Sequence, residues 1–280
     1  LDAMNTIIMY YAKRHKIPIR ISHSHNTRHL TRNPLKFFIN ELMRFMSKRF
    51  ATHYFACSYD AGKWLFGRNI DKNQHFKIIY NAIDTKKFHF DAKSRIEIRK
   101  KLNISDETII IGNIGRLDHQ KNQKFLLKIL SEIKKMTHGQ RYEIVIVGNG
   151  QLKNKLEKYT FNNKLDDYVN FVGVQQEPEK YYSAFDLFVF PSKFEGLGIA
   201  LIESQVAGLR TLASTNVPYE TNISEIIEYI DGFKTRDWVK KILESIPEKN
   251  RVDFKINTPK YDINDSSEFL ENIYKGLFDE

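Results

Sequence analysis

Cysteine is almost missing from this chain of 280 residues: Cys57 stands alone. That excludes an internal disulfide and a cysteine-rich zinc site, and it makes a reducing cytosol the expected compartment. Long apolar runs are missing as well, since no stretch approaches the roughly 18 residues that a membrane span needs. Thr6 to Tyr11 is the most apolar piece near the start, but it is short and runs on into Lys13 and Arg14 in one helical pattern, against a signal peptide. Internal repeats and low-complexity segments are absent too, which leaves an ordinary globular chain able to bury one or two cores. Acidic residues are in deficit: 34 Asp and Glu stand against 44 Lys and Arg, a net charge of +10. An anionic partner follows, and composition leaves nucleic acid, an acidic membrane surface and a phosphorylated small molecule all open. The first methionine is at position 4, from which a missing start is expected.

What is there is organised around Phe188 to Gly208. The apolar run Asp186 to Phe190 predicts a buried parallel strand; Pro191-Ser-Lys, Glu195, Gly196 and Gly198 follow before the pattern turns helical. Beyond a strand's carboxyl end in a doubly wound sheet, the free N–H groups of the next helix favour an anion. Glycines at 196 and 198 are expected to let a ligand approach the backbone closely. Glu195 belongs to the loop, while Glu203, about a turn and a half into the helix, reaches back toward the same cleft. Carboxylates suit the hydroxyl groups of a sugar or ribose; the bland reading is a solvated loop acid and a surface helix acid.

Taken in order, Leu1 to His15 predicts an amphipathic helix and Ile17 to Ser22 a strand ending in His23-Ser24-His25-Asn26. No acid or cysteine nearby completes a metal site with the histidine pair, so a role facing a cleft stands beside that of plain turn histidines. Asn26 to Phe50 carries Arg28, Arg32, Lys36, Arg44, Lys48 and Arg49 against Glu41, with Leu35, Phe38, Leu42, Phe45 and Met46 at helical spacing. The favoured reading puts that stripe in the core; the functional one attaches the helix to an anionic membrane. Strands are predicted at His53 to Ser58 and Phe76 to Tyr80, with a helix at Tyr59 to Phe66. Thr85 to Asp91 reads as a polar linker and gives the boundary between a first lobe, residues 1–85, and a second, residues 86–264. Only about three strands precede it, fewer than a self-sufficient doubly wound lobe usually has.

Past the boundary strands and helices alternate regularly. Helices are expected at Lys93 to Leu102, Phe125 to Lys135, Gln151 to Thr160, Glu177 to Ala184 and, with Trp238, Val239 to Ile246. Strands are expected at Thr108 to Asn113, Glu143 to Val147, Val169 to Val172 and Arg210 to Ala213. Arg116 and Lys121 flank the loop after Asn113, a forked donor and a mobile point charge that suit a pyrophosphate, unless they are two surface cations. Gly148-Asn-Gly150 lacks the third glycine of the dinucleotide fingerprint, so a tight turn and a nucleotide contact stand level. Ser267 to Phe278 closes the chain as an acidic amphipathic helix, N-capped by Asp265 or Ser266 and expected to pack back on the first lobe.

With these pieces in order the chain resembles glycosyltransferases of the family 4 type, and among them the bacterial exopolysaccharide and capsular polysaccharide enzymes. The resemblance spans essentially the whole chain. It rests on His23-Ser-His-Asn26, Ala56-Cys-Ser58 with Gly62 to Gly67, Tyr80-Asn-Ala-Ile-Asp84, Gly115-Arg116 with Gln120-Lys-Asn122, Val147-Gly-Asn-Gly150, Val172-Gly173, and Pro191 to Gly198 with Glu203 and Gly208. It implies the GT-B fold: two Rossmann-like α/β lobes, the first incomplete here and the second a complete doubly wound parallel sheet. It also implies transfer of a hexose from a nucleotide diphosphate sugar, a UDP-sugar, to a saccharide or lipid-linked acceptor. Anomeric configuration is retained, and neither metal nor cofactor is expected. Arg116 and Lys121, beside Gly115, Gly148 and Gly150, match the donor diphosphate site. Glu195 matches the acid near the transferred sugar and Glu203 the acid that holds the ribose. The N–H groups of Gly196, Leu197 and Gly198 would touch sugar or phosphate, and His23 or His25 matches the histidine facing the acceptor.

Two departures bear on this. The family's opening strands and glycine-rich loop have no counterpart, and Arg210 stands where the family has proline. A non-catalytic nucleotide-sugar-binding fragment and a GT-B sugar-nucleotide epimerase are therefore weighed beside the transferase. The expected site of action is the cytoplasm, with peripheral attachment to the inner face of the plasma membrane. Nucleic acid is set aside because the cations lie beside glycine loops and apolar stripes rather than among stacking aromatics.

Overall fold

The computed structural model describes residues 2–29, 33–137, 139–245, 251 and 259–279. In chain order the elements are α1 (Asp2–Arg14), β1 (Ile21–Ser24), α2 (Pro34–Phe50), β2 (His53–Ala56), α3 (Tyr59–Phe66), β3 (Phe76–Ile78), α4 (Thr85–Phe88) and α5 (Ala92–Lys101). They continue with β4 (Ile109–Ile114), α6 (Gln123–Met136), β5 (Tyr142–Val147), α7 (Lys153–Asn162), β6 (Val169–Gly173), α8 (Pro178–Ala184) and β7 (Leu187–Phe190). The last are α9 (Ile199–Val206), β8 (Thr211–Ser214), β9 (Ile227–Ile230), α10 (Thr235–Glu244) and α11 (Ile263–Asp279). The chain divides into two compact units, one of residues 1–82, 194–197 and 259–280, the other of residues 83–193 and 198–258. Each is built on its own parallel sheet, the α/β class that the alternation predicts.

In the first unit three strands pair in the order β1-β2-β3, with Ile21 opposite His53 and Tyr54 opposite Phe76. The strand expected at 17–22 is displaced to 21–24. Pro18 has no N–H to give a ladder, and the Arg20 guanidinium is turned onto the carbonyls of Ile17, Pro18 and Phe50 instead. His23 therefore lies within the strand, and only His25 follows it. Phe55, Ile79 and Leu277 form the buried centre, with Ile19, Ile21, Leu270 and Ile273 packed around it, so α11 lays its apolar side on this sheet. Asp265 and Ser266 fall inside α11, which begins at Ile263.

The basic helix starts at Pro34, not Asn26. Proline at the first position gives up an N–H that would have no partner there anyway, and the Asn33 side chain accepts from the Lys36 N–H at 3.1 Å. Arg32 lies outside the described residues. Its apolar stripe is not core, contrary to the favoured reading: Leu35 is 67%, Phe38 68% and Phe45 75% exposed, and Leu42 is exposed with them. The helix uses a different side to pack, with Thr6 of α1 donating to Met43 O and Ser47 beside Ser22 of β1. Ile8 of α1 adds to the uncovered apolar surface. Among the described residues no helix is long and apolar enough to cross a membrane.

The second unit is a six-stranded sheet in the order β6-β5-β4-β7-β8-β9, every pair parallel. That order reverses direction between β4 and β7, the topological switch point outside whose carboxyl ends such sheets bind ligands. Its strands are hydrophobic on both faces, as helices on either side require: Ile110, Ile111, Ile144, Val145, Phe188 and Val189 are fully buried. Trp238 of α10 and Phe125 of α6 meet edge to face at 5.7 Å within the core. Three details differ from the sequence pattern. The polar linker at 85–91 contains α4, capped by Asp84 and anchored by buried Phe88. Asp186 stands just before β7, its N–H donating to Ile110 O at 2.9 Å and its carboxylate held by Arg95 at 2.6 Å and Arg99 at 3.1 Å. The strand β9 was not expected, and Ile246, expected in the helix after Trp238, lies outside the described residues.

Candidate active site

The loop after β4 is shaped by its own side chains. Asp118 Oδ1 accepts from the backbone N–H groups of Gln120 and Lys121 at 2.9 and 3.0 Å, an Asx turn that lifts Lys121 over the sheet edge. Gln123, the first residue of α6, donates to Arg116 O at 2.9 Å and closes the loop from beneath. The Lys121 stem runs against Gly115, and its ammonium stands 4.6 Å from the centre of the Phe190 ring. The Arg116 side chain is 64% exposed, with Asp118 Oδ2 at 3.6 Å from its guanidinium. One cation is thus packed against the loop and the other is exposed.

Close backbone packing requires glycine at 148 and 150. A Cβ at Gly148 would lie 2.1 Å from Gly115 O and one at Gly150 2.5 Å from Leu117 O. The loops after β4 and β5 are in fact hydrogen-bonded to each other, Leu117 N–H to Asn149 O and Leu152 N–H to Leu117 O, each at 3.0 Å. The glycines let the cation-bearing loop dock on its neighbour.

After β7 the chain enters α9 through Gly198, whose φ of 93° is in the left-handed region that glycine adopts freely. No side chain caps α9, so its first N–H groups carry the positive end of the helix dipole unmasked. Glu203 is not a surface acid. Tyr182, fully buried, donates to its Oε2 at 2.6 Å. Burial raises the Glu203 pKa, while the Tyr182 hydrogen bond and the Lys121 charge act downward and Glu179 acts upward. Lys121 and Glu203, from the two sides of the switch point, therefore lie in each other's field.

The remaining predicted residues belong to the first unit. The His23 and His25 rings are 4.1 Å apart, and His23 Nε2 is buried with no hydrogen-bond partner among the described residues. Burial, then the neighbouring His25, lowers the His23 pKa to about 4, so it is neutral at pH 7. Glu195 is 5% exposed and not a solvated loop acid. Its backbone is gripped: Thr27 donates to Glu195 O at 2.8 Å and Ser58 to Gly196 O at 2.5 Å. A Cβ at Gly196 would stand 1.9 Å from His25 O, so this glycine, expected to admit a ligand, admits the carbonyl of the histidine segment. Leu197 is buried. Among the described residues no group of three or more His, Cys, Asp or Glu is placed to hold a metal ion.

The structure thus gathers Gly115, Arg116, Lys121, Gly148, Gly150, Gly198 and Glu203 in the second unit, and His23, His25, Glu195, Gly196 and Leu197 in the first. Sequence reasoning missed Tyr182, Gln123, Thr27 and Ser58 as the residues that hold them. Ser58 stood in a quoted motif and Gln123 beside one; Tyr182 lies 21 residues from Glu203 with no local sign of the pairing.

Residues 94–250, more than half of the chain, match the family model of glycosyl transferases group 1. The chain belongs to that family. It is 31% identical over 217 residues to the putative glycosyltransferase EpsF of Bacillus subtilis, covering 77% of this chain and 56% of EpsF. It is 26% identical to the capsular polysaccharide biosynthesis glycosyltransferase CapH of Staphylococcus aureus, covering 86% of this chain and 65% of CapH. The chain therefore spans less than two thirds of the length of these glycosyltransferases. Among solved structures it is similar to Anabaena Alr3699/HepE, crystallised in complex with UDP, at a TM-score of 0.77 and 16% identity, over 98% of this chain and 77% of that one. The two Rossmann-like units are those of the GT-B glycosyltransferase fold.

Proposed function

We propose that the chain acts in a retaining glycosyltransferase reaction that moves a hexose from a UDP-sugar to a saccharide or lipid-linked acceptor in exopolysaccharide or capsule assembly. The observation that carries this is the second unit's switch point, where Lys121 in the loop after β4 and half-buried Glu203 of α9, the helix after β7, lie on the two sides and the Lys121 charge acts on the Glu203 carboxylate. In the reading that follows, Arg116, Lys121 and the open N-terminus of α9 take up the charge that develops on the leaving diphosphate, the task a divalent ion performs elsewhere. Glu203 holds the ribose, Glu195 meets the transferred hexose, the N–H groups of Gly196 to Gly198 touch sugar or phosphate, and His23 or His25 faces the acceptor. No step requires a covalent nucleophile or a cofactor. The UDP bound to HepE supports the choice of base, and the capsule role of CapH supports the choice of pathway.

Calorimetry with UDP and a panel of UDP-sugars tests the reading. Arg116→Ala and Lys121→Ala should each weaken UDP binding about 10- to 100-fold, the usual worth of a charge-assisted hydrogen bond. Glu195→Ala should spare UDP and lose discrimination among the sugars. Unchanged titrations in all three variants would remove the site. Donor binding without transfer to any acceptor would select the non-catalytic reading, and conversion of the donor sugar with no acceptor present would select an epimerase.

The uncovered face of α2 supports cytoplasmic action at the inner face of the plasma membrane. Leu35, Phe38, Leu42 and Phe45 are exposed beside Lys36, Lys48 and Arg49, a combination suited to the interface of an anionic bilayer at about 1 kcal/mol per basic residue. Binding to anionic vesicles should fall as salt rises; equal binding to neutral vesicles would refute the attachment.

A further inference from the structure

Tyr182 is a polar side chain with nowhere to move. It is fully buried, and its ring is met edge-on by Phe88 at 5.9 Å and Phe185 at 6.1 Å and at a tilt by Phe188 at 5.4 Å. Its backbone is fixed from the other side, since Arg251 donates to Tyr182 O at 2.6 Å. The phenol has one hydrogen to give. Ala200 O is 3.3 Å away, but Glu203 Oε2 is at 2.6 Å, the length of a hydrogen bond to a carboxylate. An unbraced glutamate would sample several rotamers and lose on the order of 1 kcal/mol or more of side-chain freedom on gripping a ligand. Here that freedom is already spent. With Oε2 taken by the phenol, Oε1 is the oxygen left to accept from a ligand hydroxyl.

We propose that Tyr182 is a positioning residue for nucleotide recognition: by holding Glu203 Oε2 it aims Oε1 at the ribose 2′-hydroxyl and so sets the preference for ribonucleotide over 2′-deoxyribonucleotide donors. The proposal rests on the reading of Glu203 as the ribose acid. Three titratable groups bear on Glu203: Tyr182 through its hydrogen bond, Lys121 through its opposite charge and Glu179 through its like charge; Glu179 is itself paired with Lys87 at 3.3 Å. Loss of the phenol leaves burial and Glu179 opposed by Lys121 alone, so Glu203 takes up a proton at higher pH.

Calorimetry of the full chain with UDP and with 2′-deoxy-UDP separates the possibilities. In the unmodified chain UDP should bind at least about tenfold more tightly, since a site built to hold a hydroxyl penalises its absence. Tyr182→Phe, which keeps the ring, should weaken UDP about 5- to 10-fold, leave 2′-deoxy-UDP unchanged and move the acid limb of UDP binding to higher pH. Glu203→Gln should erase the discrimination, and adding Tyr182→Phe to it should change nothing further. If Tyr182→Phe keeps the discrimination while Glu203→Gln loses it, the positioning role is wrong and the ribose reading survives. Equal losses for both nucleotides in Tyr182→Phe, with a lowered melting temperature, also overturn the proposal by making Tyr182 merely structural. Discrimination kept in Glu203→Gln, or no UDP binding by the unmodified chain, overturns the reading of the site beneath it.

Discussion

The two units treat apolar side chains in opposite ways. In the second, strands β4, β5 and β7 bury Ile111, Ile146 and Phe188 on a sheet covered by helices, and α6 turns Leu126, Ile129 and Ile133 wholly inward. In the first, Phe55, Phe66, Ile70, Ile79 and Leu277 are buried, while α1 and α2 leave Ile8, Leu35, Phe38 and Phe45 in solvent. An amphipathic pattern states only that a helix has an apolar face. What covers that face is a property of the surroundings, and here it differs between α2 and α6 although both stripes have helical spacing.

Substitutions at matched aromatic positions are the strongest way to break this contrast. Phe188→Ala should cost about 3–5 kcal/mol in chemical denaturation of the second unit, because the side chain is fully buried and its removal leaves a cavity. A loss under about 1 kcal/mol would show that the sheet is not the rigid frame described.

An intermediate effect is expected from pH. His23 falls from the ordinary 6.5 to about 4 in the folded first unit, so as pH drops the unfolded chain takes up this proton first. Stability is therefore full above about 6.5 and is lost progressively toward pH 4. His23→Gln should flatten that limb by on the order of 1–2 kcal/mol, allowing for the partial exposure of the ring. A limb of the same depth in the variant would place the proton elsewhere.

The smallest stability change belongs to Phe45→Ser on the exposed face. It should shift unfolding by no more than about 0.5 kcal/mol, yet reduce binding to anionic vesicles. Loss of stability equal to that of Phe188→Ala would mean that the face is covered in solution, and the contrast between the units would disappear.

Much of the second unit was legible from local pattern. The largely apolar stretches that form β4 and β5 read as buried parallel strands from their β-branched content and their place between helical patterns. Errors gathered where distant partners meet. The Arg20 guanidinium gathers the carbonyls of Ile17, Pro18 and Phe50 ahead of β1, and Arg95 and Arg99 grip the Asp186 carboxylate just ahead of β7. The glycines divide the same way. Gly198 serves the φ that a helix entry needs, whereas Gly148, Gly150 and Gly196 make room for carbonyls contributed by Gly115, Leu117 and His25.

The order of charges and glycines along the chain settled the family and the α/β alternation, because helical and strand periods and loop chemistry are local properties of neighbouring residues. The uncovered stripe of α2, the burial of Glu195 and the Tyr182 hydrogen bond to Glu203 belong to the tertiary structure alone. Burial and long-range hydrogen bonds depend on which segments meet in space, and residues 21 apart carry no periodic signal of their meeting.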